Sequence, residues 1–172
     1  LARLAADPAL RRSHPIVGLA AGHAATPQLR AMATIGGNLA QRPRCWYFRN
    51  REFHCLKKGG STCFAVEGEN RYNAIIGGGP SYIVHPSNVA PALVALDGTI
   101  VIQSAGSKPE LVKAAEFFLL PEQSLKSENI LKPGQVITEV ILPNEPSQSA
   151  TIELREKQSF DWPVAMACVA RL

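Results

Sequence analysis

Three cysteines crowd one basic, aromatic stretch: Cys45, Cys55 and Cys63, separated by nine and seven residues. Thiolates bind soft metals and iron–sulfur clusters, and neighbouring cations lower thiol pKa values and offset the charge of several thiolates. Arg42, Arg44, Arg49, Arg51, Lys57, Lys58 and Arg71 supply those cations, interleaved with Trp46, Tyr47, Phe48, Phe53 and Phe64. The spacings are too long for the Cys-x-x-Cys pair of a zinc knuckle but suit a cluster held by an irregular loop. The residue types leave other readings open: a Cys45–Cys55 disulfide, three unrelated thiols, or a surface for single-stranded nucleic acid. Cys168 lies in a terminal apolar run and reads as a buried structural thiol.

Immediately upstream stands Thr34-Ile-Gly-Gly-Asn38. Adjacent glycines permit positive φ and let backbone approach a partner closely. Asn38 offers a donor and an acceptor on one amide, and Thr34 a hydroxyl. By itself this is an ordinary tight turn; beside the cysteine stretch it reads as a loop wrapped on a polar ligand.

The elements that must hold these groups follow from pattern. Residues 1–12 and 14–25 read as helices, the second with Pro15 in its first turn. Thr26-Pro27 restarts the chain ahead of the Gly-Gly turn. Residues 42–72 show neither helical nor strand periodicity, and an irregular stretch of that length is functional or is held by something other than an ordinary core. Ser87 or Asn88 caps a short helix over 89–96. Asp97-Gly98 turns the chain into a strand at 99–104, and a short amphipathic element spans 111–119. Pro133-Gly134 leads into a strand at 135–142, ended by Pro143. Strands at 150–156 and 164–172 pair across a turn at 158–163. The order of elements implies an α+β, mixed α/β, architecture.

Composition is that of a globular chain: 46% hydrophobic and 19% charged in 172 residues, with 13 Gly and 13 Pro marking many turns. There is no apolar run of membrane-spanning length and no signal-peptide pattern. A net charge of +4 is too modest to demand a nucleic-acid partner. The chain begins without Met, in what reads as mid-helix, and stops inside an apolar run, so both ends read as cut.

Taken together, Thr26-Pro-Gln-Leu-Arg30, the Met32–Cys45 stretch with its Trp-Tyr-Phe-Arg49 continuation, Glu69-Asn-Arg-Tyr-Asn-Ala-Ile75 and His85-Pro-Ser-Asn88 resemble one family. It is the FAD-binding medium subunit of the molybdenum hydroxylases, the xanthine dehydrogenase and aldehyde oxidoreductase group, in the branch whose inserted loop carries a [4Fe–4S] cluster. Pro133-Gly-Gln-Val-Ile-Thr-Glu-Val-Ile-Leu-Pro143 and Ser159-Phe-Asp-Trp-Pro163 resemble its later segments. The resemblance implies an FAD-binding domain over 1–143 of the molybdopterin-dehydrogenase (PCMH) type, lacking its N-terminal module, with the cysteine loop inserted at about 42–72. The start of a C-terminal α+β module would follow at 149–172.

It also implies an oxidoreductase subunit that carries electrons from iron–sulfur clusters through FAD to an acceptor, with no catalytic residue of its own. Ala33, Thr34, Gly36, Gly37, Asn38, Leu39, Ser87 and Asn88 would line the FAD, and Ile137 would pack on the flavin. Cys45, Cys55 and Cys63 would hold the [4Fe–4S] cluster. The implied partners are a molybdenum-cofactor large subunit and a [2Fe–2S] small subunit, with no nucleic acid and no membrane. The implied location is the cytoplasm, or the periplasm by export with a signal-bearing partner.

Three positions depart from the family pattern. Ser81 stands where a fourth cluster cysteine is expected, Asn88 where an Asp is expected, and Glu153 where a Lys is expected near the flavin. A structural paralogue without cofactors and a basic-aromatic nucleic-acid binder are the alternative functions.

Overall fold

The computed structural model describes residues 1–157 and 160–171, which group into two compact units. One unit is formed by residues 1–39, 87–117 and the described residues from 131 onward; the other by residues 40–86 and 118–130.

The first unit opens with short helices, two of which start with a capping side chain followed by proline. The helix expected over 1–12 is split into α1 (Ala2–Ala6) and α2 (Pro8–Ser13). Pro8 has no N–H to continue α1, and Asp7 Oδ1 accepts instead from the Ala9 and Leu10 amides at 2.8 and 3.2 Å. Helix α3 (Pro15–His23) follows the expected 14–25 segment. In α4 (Pro27–Met32) the Thr26 hydroxyl accepts from the Leu29 amide.

The Gly-Gly-Asn segment corrects the expectation of a turn. It forms a one-turn helix, α5 (Ile35–Leu39), and neither Gly36 nor Gly37 has positive φ. Thr34 supplies the missing start signal, its Oγ1 accepting from the Gly37 amide at 3.0 Å, while the fully buried Leu39 anchors the far end.

Helix α7 (Val89–Ala95) feeds β1 (Thr99–Ser104) through Asp97-Gly98. The segment expected as one amphipathic element at 111–119 is two: β2 (Glu110–Lys113) and the single turn α8 (Ala114–Phe117). With β3 (Gln135–Ile141) they make an antiparallel sheet of order β2-β1-β3, in which Ile100 faces Val112 on one side and Val140 on the other. A register shift between Val101 and Ile102 brings Ile137 opposite Ile102. Ile16, Ala20, Leu93, Leu96, Ile100 and Phe117 are fully buried and form the core of this unit. Strands β4 (Gln148–Leu154) and β5 (Ala165–Arg171) pair antiparallel as expected, β4 against α3 and β5 against α7. Gln158 and Ser159 of the expected turn and motif, and Leu172 of the expected strand, lie outside the described residues.

The second unit is mostly irregular. Its regular pieces are α6 (Trp46–Arg49) and a 3-10 turn at Leu56–Lys58. Tyr47, Phe53 and Phe64 pack on one another with centroids 5.0 to 5.8 Å apart, forming a small aromatic core. Lys58 Nζ donates to the Tyr47 and Asn50 carbonyls, holding the end of α6. No helix among the described residues is long and apolar enough to cross a membrane.

Candidate cofactor sites

The two sets of residues singled out by the sequence fall one in each unit. In the first unit the expected FAD residues come from three separate segments. Helix α5 brings Gly36 against β3 so closely that a Cβ on Gly36 would lie 3.2 Å from the Ile137 Cβ and 3.5 Å from its carbonyl oxygen. Any larger residue would need the strand or the Ile137 side chain to give way slightly, so glycine suits the position. The other face of α5 meets the start of α7. Asn88 already has helical dihedrals (φ −69°, ψ −28°), so the capping side chain is Ser87, whose Oγ accepts from the Ala90 amide at 3.0 Å. The same hydroxyl donates to Asn38 Oδ1 at 2.6 Å. Ser87, Asn38 and Asn88 are all buried.

One hydroxyl therefore caps a helix and fixes the amide of the Gly-Gly-Asn segment. Ala33, Thr34 and Gly37 stay at least partly accessible beside it. Asn88 Nδ2 is buried and makes no hydrogen bond. A buried donor left unsatisfied costs about 1–3 kcal/mol, so this group is poised for an acceptor. A glycine-lined surface beside a buried, unused amide donor fits a ligand rich in acceptor oxygens and ring nitrogens, as FAD is.

In the second unit Cys45, Cys55, Cys63 and Ser81 are among the residues that line one small cavity. All three cysteines are free thiols, so the disulfide reading is set aside. Cys45 precedes α6, Cys55 precedes the 3-10 turn, and Cys63 follows the turn's return. The Cys55 carbonyl accepts from the Lys58 and Gly60 amides, and the Leu56 amide donates to Thr62. Gly60 is essential to that turn: a Cβ there would meet the His54 carbonyl oxygen at 1.8 Å. Lys57 also lines the cavity and is itself buried, paired at 2.7 Å with the equally buried Glu128. Arg42 Nε approaches the other Glu128 oxygen at 2.5 Å while its guanidinium lies over the Phe48 ring. Burial, and then the positive charge of Arg49, holds the Arg44 guanidinium below its ordinary pKa.

The donor set is three sulfurs and one oxygen. Among the described residues no group of three or more His, Cys, Asp or Glu could hold a metal ion. A single ion needs its thiolates within about 2.3 Å of one point, whereas the thiolates of a cluster bind different irons and stand further apart. The free volume of the cavity is about 10 Å³, room for about one water, so a cluster would have to spread the walls. The set is one sulfur short of the four thiolates of a [4Fe–4S] cluster.

Several residues take places that sequence pattern did not reveal. Glu153 lies in the first unit, its side chain largely covered and paired with Arg155 and with His23 Nδ1 at 3.2 Å, so its negative charge is offset. Cys168 sits opposite Thr151 in the β4–β5 pair, and burial first, then Glu153, pushes its thiol pKa up against the opposing effect of its hydrogen bond with Thr151. The buried Lys57–Glu128–Arg42 network joins residues up to 86 apart, beyond the reach of any local pattern.

The chain matches the family described as FAD binding domain in molybdopterin dehydrogenase over residues 1–145, and it belongs to that family. Its mixed helix-and-sheet architecture is of that type. The aldehyde oxidoreductase FAD-binding subunit PaoB of Escherichia coli (strain K12) is 37% identical over 142 residues, which are 81% of this chain and 45% of that protein. The chain spans less than half the length of this curated relative.

Proposed function

We propose that this chain binds FAD and works as the electron-transfer subunit of a molybdenum-dependent dehydrogenase of the aldehyde or xanthine type. The observation that carries the reading is the Ser87–Asn38 bond beside the Gly36–Ile137 contact and the unused Asn88 donor. Family membership and the likeness to a subunit named as FAD-binding support it.

In this reading Ala33, Thr34, Gly36 and Gly37 form the surface on which FAD lies, with Asn38 held beneath it and the fully buried Leu39 as its anchor. Asn88 donates to it from the start of α7, and Ile137 packs on the flavin. Bound FAD would supply the step between one- and two-electron carriers. Cys45, Cys55 and Cys63 hold an iron–sulfur cluster of the [4Fe–4S] type, which would supply a one-electron relay. Lys57 contributes positive charge at the cavity wall, and the aromatic packing excludes water. The partners are a molybdenum-cofactor large subunit and a [2Fe–2S] small subunit, and the complex works in the cytoplasm or is exported as a whole.

The substitution of an oxygen donor at Ser81 favours a second reading for the cysteine loop alone, that it is a structural remnant without metal. A visible absorption spectrum after anaerobic reconstitution with iron, sulfide and FAD separates the two. A flavin envelope with a broad iron–sulfur shoulder supports the full proposal. A flavin envelope alone supports the second reading, and a colourless protein overturns both cofactor assignments.

A further inference from the structure

We propose that a cleft beside the start of α6 binds the base of a free guanine nucleotide. The residues lining it are Cys45, Trp46, Glu69, Arg71, Tyr72 and Asn73. All belong to the second unit, and only Cys45 among them also lines the cysteine cavity. The cleft has a volume of about 180 Å³. At about 30 Å³ for each water, that is room for a fused-ring base and too little for a whole dinucleotide such as FAD.

One wall is aromatic. The Trp46 and Tyr72 rings have centroids 5.9 Å apart and planes 36° from parallel, and Trp46 is 62% exposed. An aromatic pair left open in a concavity offers a π-face to a flat ligand, and stacking on such a face is a main source of affinity for a base. The polar groups stand on one short segment that folding has already fixed. The Asn73 amide donates to the Asn70 carbonyl at 2.9 Å, and the Tyr82 carbonyl accepts from both the Ala74 amide and Asn73 Nδ2 at 3.0 Å. Binding therefore costs little further ordering of this backbone.

Glu69 and Arg71 give the cleft one negative and one positive side chain. A ligand with a single charge of either sign is matched by only one of them. A planar heterocycle with donors on one edge and acceptors on another matches both. Guanine presents adjacent N–H donors, at N1 and at the N2 amino group, to the paired oxygens of a carboxylate. Its O6 and N7 accept from the arginine fork, whose donors outnumber what one partner can use. Adenine has a donor at N6 beside its N7 acceptor, so it offers arginine no acceptor pair, and the cleft should prefer guanine.

The test is a titration of the chain carrying Trp162→Phe, which leaves Trp46 as its only tryptophan, read by fluorescence and by calorimetry. GMP is expected to quench Trp46 saturably, and AMP to bind about fivefold or more weakly. Tyr72→Ala is expected to weaken GMP binding by about fivefold or more, and Glu69→Gln to bring GMP and AMP level, each variant being shown folded by circular dichroism. Saturating FAD, with heat as the readout, is expected to leave GMP binding in place.

Absence of both quenching and heat with millimolar GMP overturns the inference, as does AMP binding as tight as that of GMP. GMP binding that survives both cleft substitutions unchanged, or that FAD displaces, puts the nucleotide elsewhere and overturns it too. A single-stranded oligonucleotide that binds more tightly per guanine than GMP identifies a strand-binding surface and overturns the free-nucleotide reading.

Discussion

Replacing Ser87 by Ala removes one oxygen from the junction between α5 and α7. The hydroxyl performs two tasks, accepting from the Ala90 amide and donating to Asn38 Oδ1. Loss of a helix cap costs about 1 kcal/mol. Withdrawing the donor from an amide oxygen that is buried costs about 1–3 kcal/mol more. The sum is about 2–4 kcal/mol, and with a urea slope of about 2 kcal/mol/M the midpoint falls by roughly 1–2 M. Ser87→Gly separates the tasks, since glycine at a cap costs only about a few tenths of a kcal/mol relative to serine; its remaining loss measures the Asn38 bond. A double-mutant cycle with Asn38→Ala should return a coupling of about 0.5–3 kcal/mol. The reasoning is refuted if Ser87→Ala costs under about 0.5 kcal/mol, or if the two substitutions add within about 0.3 kcal/mol.

Gly36→Ala should destabilise the first unit and weaken FAD binding despite alanine's better helix propensity, because β3 must shift. Ile137→Ala should not rescue it, since the Cβ and the carbonyl remain, and thermal melts of both variants check this. Glu128→Ala strands the buried Lys57 and should cost about 3–5 kcal/mol, whereas Arg42→Ala, at a half-exposed guanidinium, should cost clearly less in the same urea titration. Gly60→Ala should abolish iron binding while leaving FAD binding in place, measured by iron content and flavin fluorescence. The raised Cys168 pKa means that its contribution to stability holds below the ordinary thiol pKa and is lost as pH rises through the folded value. Alkylation of Cys168 should therefore lag that of an exposed thiol near pH 8, and Glu153→Gln should speed it.

Much of the framework was legible because it depends on local signals. The strand at 99–104, the Asp97-Gly98 turn and the Ser87 cap are each specified by a few adjacent residues, and the structure has them where expected. The Gly-Gly-Asn segment was misread as a turn because glycine propensity was weighed without Thr34 as its cap and Leu39 as its buried anchor. Segment 111–119 was misread as one element because the cross-strand partner Ile100, which pulls Val112 into a sheet, is distant in sequence. Cys45, Cys55 and Cys63 do line one cavity, but among the described residues no group of three or more His, Cys, Asp or Glu could hold a metal ion. What no local pattern carried was the Glu128 partnership that holds Lys57 at that cavity, because its members are far apart along the chain.

The most direct test of the central claim is a titration of the purified protein with FAD, followed by flavin fluorescence and visible absorption. The account predicts saturable binding, a perturbed flavin spectrum, and weaker binding in Ser87→Ala and Gly36→Ala variants that remain folded. Unchanged flavin fluorescence and a colourless protein after gel filtration would contradict it.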